Sequence, residues 1–153
     1  MSIISQFIHL NLRTSFSLLE GALPIKSLVK LAVKNNMPAL AITDSNNLFG
    51  ALEFSETCIE NGIQPIIGIS INLLSGKSDL QRVQKFSKII LIAQNDKGYN
   101  NLLKLSSLSY IYNTDLDRPY ISLNQLIEHN NSLILLTGGM DGILYNLVKK
   151  GYD

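Results

Sequence analysis

Along the chain, continuous apolar runs alternate with segments whose apolar residues recur every three or four positions. Phe7 to Leu12 reads as a first strand. Ile25, Leu28, Val29, Ala32 and Val33 then share one helical face, with Pro24 suited to the first turn, where a missing N–H costs nothing. Asn35, Asn36 and Pro38 end that helix. Ala39 to Thr43 is a short apolar strand, and Asp44, Ser45 and Asn46 offer N-cap oxygens to a second helix carrying Leu48, Ala51, Leu52, Ser55, Cys58 and Ile59. Asn61 and Gly62 close it. A third strand is expected over Pro65 to Leu74, a polar excursion over Gly76 to Gln84, and a fourth strand over Lys88 to Ala93. A helix from about Lys97 to Tyr112 follows, with Tyr99, Leu102 and Leu103 facing the core by spacing. After a loop from Asn113 to Pro119 come a short helix over Ser122 to Glu128, a fifth strand over Leu133 to Thr137 and a last helix over Ile143 to Lys149.

Strands buried on both faces and separated by helices point to an α/β fold made of parallel β/α units. Right-handed crossovers then build either a doubly wound sheet or a barrel, and periodicity alone leaves both open. In either, function collects in the loops after the strands. The rim positions are therefore Asn11 to Ser15, Asp44 to Asn47, Ser70 to Asn72, Asn95 to Lys97 and Gly138 to Asp141. A chain of 153 residues fits one domain or part of one, and no second domain is expected within residues 1–153.

Composition narrows the function. Lys and Arg total 13 against 12 for Asp and Glu, so the segment has no electrostatic case of its own for gripping a phosphate backbone. One cysteine, Cys58, excludes an internal disulfide, and the spacing puts it on an apolar helix face as an inert thiol. With only His9 and His129, no site of several imidazoles can form. The N-terminus lacks the basic start and apolar run of a signal peptide, and no stretch is apolar over the roughly 18 residues a membrane span needs, so the expected location is cytoplasmic.

Five collinear stretches carry a resemblance. HLNLRTSFSLLEGA (His9 to Ala22), MPALAITDSNNLFGALEF (Met37 to Phe54), GIQPIIGISI (Gly62 to Ile71), NDKGYNNLLKLSS (Asn95 to Ser107) and LILLTGG (Leu133 to Gly139) resemble, in order, motifs of the PHP domain at the front of bacterial C-family replicative polymerases. The ITDSNNLFG and GYNNLLKL blocks look like that polymerase branch rather than the stand-alone phosphatases. The resemblance implies a distorted (β/α) PHP-type barrel of about seven units, of which this chain supplies about five. It implies a metal site at the C-terminal rim where ligands are present, built from His, Asp and Glu.

The ligand positions of that pattern are altered here. The opening His-x-His pair corresponds to Asn11 and Arg13, and an arginine has no lone pair to offer a metal. A ligand histidine after the second strand corresponds to Ser45, an acidic residue to Ser70, and a frequent cysteine to Gly139. Glu20 and Asp44 survive as carboxylates, and His9 is either a remnant ligand or a strand residue satisfied by one hydrogen bond. Asp44 reads equally as a rim acid and as a helix cap, and Glu20 as a rim acid or a turn residue. Arg13 is either an exposed loop residue or a guanidinium standing where a cation would sit, paired with Glu20 or Asp44. Gly138-Gly139 reads as a tight strand-to-helix turn in preference to a phosphate-cradling loop, and His129 as solvated.

The expectation is a degenerate metal site without catalytic residues in a scaffold segment of a replicative polymerase. Its partners would be the rest of that polymerase subunit and the separate proofreading exonuclease subunit, with DNA reached only through the parent protein. No cofactor is expected in the segment. The parent's Mg²⁺ belongs to a palm domain that lies outside it. The competing reading is a metal-dependent PHP phosphoesterase, either a phosphatase or a proofreading-type hydrolase. A third is an interaction module whose unpaired apolar strand edge drives association.

Overall fold

The hydrophobic pattern is realised in a computed structural model that describes residues 7–77, 84–111 and 118–149. The elements run α1 (Ile25–Lys34), β1 (Ala39–Ser45), α2 (Ala51–Glu60), β2 (Gln64–Lys77), β3 (Gln84–Ala93), α3 (Asp96–Ile111), α4 (Leu123–Glu128), β4 (Leu133–Leu136), a 3-10 turn (Gly139–Asp141) and α5 (Ile143–Lys149). Residues Tyr112 and Asn113 to Asp117, expected at a helix end and in a loop, lie outside the described residues.

Helix α1 buries Ile25, Leu28, Val29 and Ala32, the spacing of a single stripe. Pro24 is its N-cap rather than part of its first turn. It stops where Asn36 takes a positive φ of 53°. Helix α2 departs from its expected face. Its buried stripe is Ala51, Phe54 and Cys58, while Leu52 and Ile59 are exposed. The cause lies upstream: Asp44 and Ser45 belong to β1, Gly50 is the N-cap, and α2 begins later than a cap at residues 44–46 would place it. In α3, Leu102 is fully buried but Leu103 is largely exposed. Ser122 caps α4 reciprocally with Gln125, each side chain meeting the other's backbone N–H.

The sheet order is β1-β2-β3-β4. Strands β1 and β2 are parallel, whereas β2–β3 and β3–β4 are antiparallel. The expected all-parallel arrangement is therefore corrected: β3 runs against the other three. Only residues 78–83 separate β2 from β3, too short a connection for the dozen or more residues of a parallel crossover. The expected first strand is corrected too. Phe7 to Leu12 lies beside β1, where His9 O and Leu12 O accept from Ala41 and Thr43 N–H, but the spacing is irregular and no ladder forms.

Two cores lie against the helices. Leu40 and Ile42 of β1 pack with α1, Phe54 and Cys58. Ile69, Ile71, Leu73, Ile89 and Leu91 pack with Leu102, Leu105, Ile121 and Leu126. Side chains alternate along strands, so the other face of the sheet carries Thr43 and Ser45 from β1, Ser70 and Asn72 from β2, and Phe86 and Lys88 from β3. Register places Ser45 beside Ser70 and Asn72 beside Lys88. That polar face positions the site.

Candidate functional site

Residues Arg13 to Gly21 fold over the end of β1 because Asp44 holds them there. Its carboxylate, 2% exposed, accepts from Thr14 N–H at 2.7 Å, Thr14 Oγ1 at 2.8 Å and Ser17 Oγ at 2.5 Å. Thr14 and Ser17 are themselves buried. The loop closes on backbone turns from Ser17 N–H to Thr14 O and from Glu20 and Gly21 N–H to Ser17 O. Leu19 is driven to a φ of 64° in the process, a conformation costly for a residue with a Cβ. Gly21 is required on steric grounds: a Cβ there would sit 2.1 Å from Thr14 O.

Ser45, one residue after Asp44, faces the opposite side of the strand. Its N–H donates to Ser17 Oγ at 3.0 Å, and its hydroxyl donates to Glu20 Oε2 at 2.7 Å. The same Glu20 oxygen lies 3.0 Å from Arg13 Nε and 3.7 Å from Lys88 Nζ. The Arg13 contact is coulombic, since its Nε–H makes no directed hydrogen bond. Glu20 therefore titrates below the ordinary glutamate range. The hydrogen bond from Ser45 is the main cause and the charges of Lys88 and Arg13 add to it, against a smaller opposing effect of burial.

The structure brings Asn11, Arg13, Glu20, Ser45 and Ser70 to one face and turns Asp44 to the other. Asn11 Oδ1 accepts from Thr43 Oγ1 at 3.1 Å. Ser70 Oγ is fully buried with no hydrogen-bond partner. His9 is half-buried with its ring edge-on to Phe7 at 4.7 Å. Gly139 has a φ of 65° in the 3-10 turn and no side chain to contribute, and the neighbouring Gly138 packs so close that a Cβ would meet Lys88 O at 2.2 Å. His129 is the C-cap of α4. Asn95 to Lys97, expected at the rim, are at the far end of the sheet, because they follow the reversed strand β3. Among the described residues, no three His, Cys, Asp or Glu side chains converge as metal ligands.

Sequence reasoning missed Lys88, Phe86 and Arg118, and placed Asn46 only within a rim stretch and as a helix cap. With Glu20, Asn72 and Met140 they line an open, mostly polar cavity of about 560 Å³ over the polar face of β2 and β3. A lone lysine at the head of the apolar run IILIA was the available signal for the first of them. Asn46 takes a φ of 56°, and its Oδ1 is buried without a donor.

Comparison with known proteins follows the same lines. The PHP domain family matches residues 9–153. The DNA polymerase III α subunit of Caulobacter vibrioides is 42% identical over 137 residues, covering 89% of this chain and 12% of that protein. The α subunit of Rickettsia felis is 43% identical over 139 residues, covering 91% and 11%. That of Borreliella burgdorferi is 38% identical over 152 residues, covering 97% and 13%. The chain thus spans only a small part of the length of the relatives it matches. Among solved structures, a metal-dependent phosphoesterase from Bifidobacterium adolescentis is similar with a TM-score of 0.51 at 19% identity, over 69% of this chain and 33% of that one, a likeness of fold alone. Matched by the family across nearly all of its length and by α subunits over the same stretch, this chain belongs to the PHP domain family.

Proposed function

We propose that the chain is the N-terminal PHP segment of a DNA polymerase III α subunit, acting as a structural and interaction scaffold with a degenerate metal site. The observation that carries this reading is the occupancy of both carboxylates. Asp44 spends its acceptors on Thr14 and Ser17, and Glu20 is held by Ser45, Arg13 and Lys88. The residues do not fit the divalent ions that the fold family implies. A guanidinium and an ammonium at Glu20 would repel a cation, and Asn11, Ser45 and Ser70 offer only neutral oxygens. Arg13 thus takes the place of a metal charge, while Ser45 and Lys88 tie the loop to the sheet through Glu20.

In this reading the segment forms the front of a distorted PHP barrel that the rest of the subunit completes, and the proofreading exonuclease subunit is a further partner. DNA-directed DNA synthesis, with its Mg²⁺, belongs to the parent protein. The test is metal titration by calorimetry combined with phosphatase and primer-extension assays on the 153-residue chain. The expected result is no tight Mn²⁺ or Zn²⁺ binding, no phosphate release and no extension. Stoichiometric metal binding with phosphatase activity lost in Glu20→Gln would establish the phosphoesterase reading instead.

A further inference from the structure

We infer that the chain forms a symmetric dimer in which α1 of each copy lies against α2 of the other. The two helices are built alike. The buried positions Ile25, Leu28 and Ala32 of α1 recur at the same spacing as Ala51, Phe54 and Cys58 of α2. Both helices pack on one core with β1. Short turns lead from their last residues, Lys34 and Glu60, into Ala39 and Gln64, which are register partners on parallel strands. The helices therefore run the same way and end at the same level.

Their outward faces carry opposite charge. The exposed ions of α1 are Lys26, Lys30 and Lys34, with no acid in the helix, and those of α2 are Glu53, Glu56 and Glu60, with no base. Among the described residues none of the six has an ion-pair partner. Counted back from the level ends, Lys34 stands at the height of Glu60 and Lys30 at that of Glu56. Lys26 is offset from Glu53 by one residue, about 1.5 Å.

Apolar residues flank the charges. Leu52 lines a cavity with Ala93 and Tyr99, so it lies on the α3 side of α2, and Ile59, two turns on, shares that flank. Both are exposed. The matching positions of α1, Lys26 and Val33, therefore turn toward α2, and the exposed Leu31, on the other flank, turns away from it. A twofold axis parallel to the helices and midway between them lays α1 of one copy on α2 of the other. It sets Lys30 and Lys34 against Glu56 and Glu60, and Leu31 against Leu52 and Ile59, each contact occurring twice. A twofold axis across the helices would stack like charges instead. An open hollow of about 610 Å³ on α1, lined by Ser27, Lys30, Leu31, Val33 and Lys34, gives Ile59 and the glutamate stems of the other copy room to seat. Two ten-residue helices make a patch about 15 Å long, at the small end of specific interfaces, so the dimer is weak and its charges set the register.

The inference goes beyond the scaffold reading and needs neither a metal nor the rest of the subunit. Its test is sedimentation velocity of the full 153-residue chain over rising concentration, with circular dichroism confirming that each variant is folded. A monomer–dimer equilibrium is expected, weakened by concentrated sodium chloride. Lys30→Glu and Glu56→Lys, both exposed changes, each weaken it at least about tenfold by setting like charges face to face. An equimolar mixture of the two variants restores it, because each copy then meets its opposite. A chain that stays monomeric at every concentration overturns the inference. A dimer of unchanged strength in both charge variants also overturns it, by moving the contact to another surface, and open-ended assembly does so as the mark of an unsymmetrical contact. Tight metal uptake by the dimer would sink the scaffold reading and leave this one standing, and a strictly monomeric, metal-free chain does the reverse.

Discussion

Ser45 joins two loop residues by two different atoms: its hydroxyl donates to Glu20 across 2.7 Å, while its backbone N–H donates to Ser17 Oγ across 3.0 Å. Ser45 is thus the rivet between the Arg13–Gly21 loop and β1. Because Glu20 titrates below the ordinary value of 4.5, its ionised form is the one the fold prefers. The stability it supplies is complete above 4.5 and lost as the pH falls through its lowered folded value. Urea midpoints measured from pH 7 downward should fall through that acid window, and Glu20→Gln should flatten this part of the profile. The effect is small, since the Glu20 side chain is 38% exposed. An identical acid limb in Glu20→Gln would contradict the assignment.

Asp44 is a structural acid, and its removal should unfold rather than inactivate. Asp44→Ala strands Thr14 N–H, Thr14 Oγ1 and Ser17 Oγ in a buried place. A loss of about 3 kcal/mol is expected by denaturant titration. Thr14→Val, which removes one of the three donors, should cost about 1–2 kcal/mol. A fully stable Asp44→Ala would show that the loop does not depend on this carboxylate.

Leu19 is fully exposed at a positive φ, so its side chain supplies no burial to offset the backbone strain. Leu19→Asn should stabilise the protein by about 0.5–1 kcal/mol, because asparagine tolerates the left-handed region. Gly21→Ala should act in the other direction, forcing the loop away from Thr14 O. Thermal melts of the two variants on opposite sides of the parent give the check.

Cys58 is fully buried in the core between α1, α2 and β1, and burial pushes its thiol up to about 11. At neutral pH it is therefore a protonated, inaccessible group. A thiol reagent should label it only at the rate of unfolding, with complete labelling in denaturant. Rapid labelling of the folded chain would mean that α2 does not cover it.

Much of this was legible in the residues. The apolar stripe of α1 and the run of β1 fall where periodicity puts them, because burial of one helical face or of a whole short strand selects those residue types. Ser122 and Gln125 form a local capping pair that needs no distant partner. The motif blocks placed Asn11, Arg13, Glu20, Ser45 and Ser70 near one another, and they do share one face. Asp44 was harder, since a strand end and a helix start look alike in sequence.

What the amino-acid order determined by itself is therefore the kind and succession of most elements and a supply of only two imidazoles, since these depend on local spacing and on the chemistry of single side chains. The fold in three dimensions decided the rest. An apolar run such as IILIA buries equally well in either direction, so the composition of β3 was silent on its sense, and only the short connection after β2 bore on it. That reversal sends Asn95 to Lys97 to the far end and sets Lys88 beside Asn72 and against Glu20. Strand alternation did the same at the adjacent pair Asp44 and Ser45: a pleat turns neighbours to opposite sides, giving the carboxylate to the loop's hydroxyls and the serine to the charged cavity.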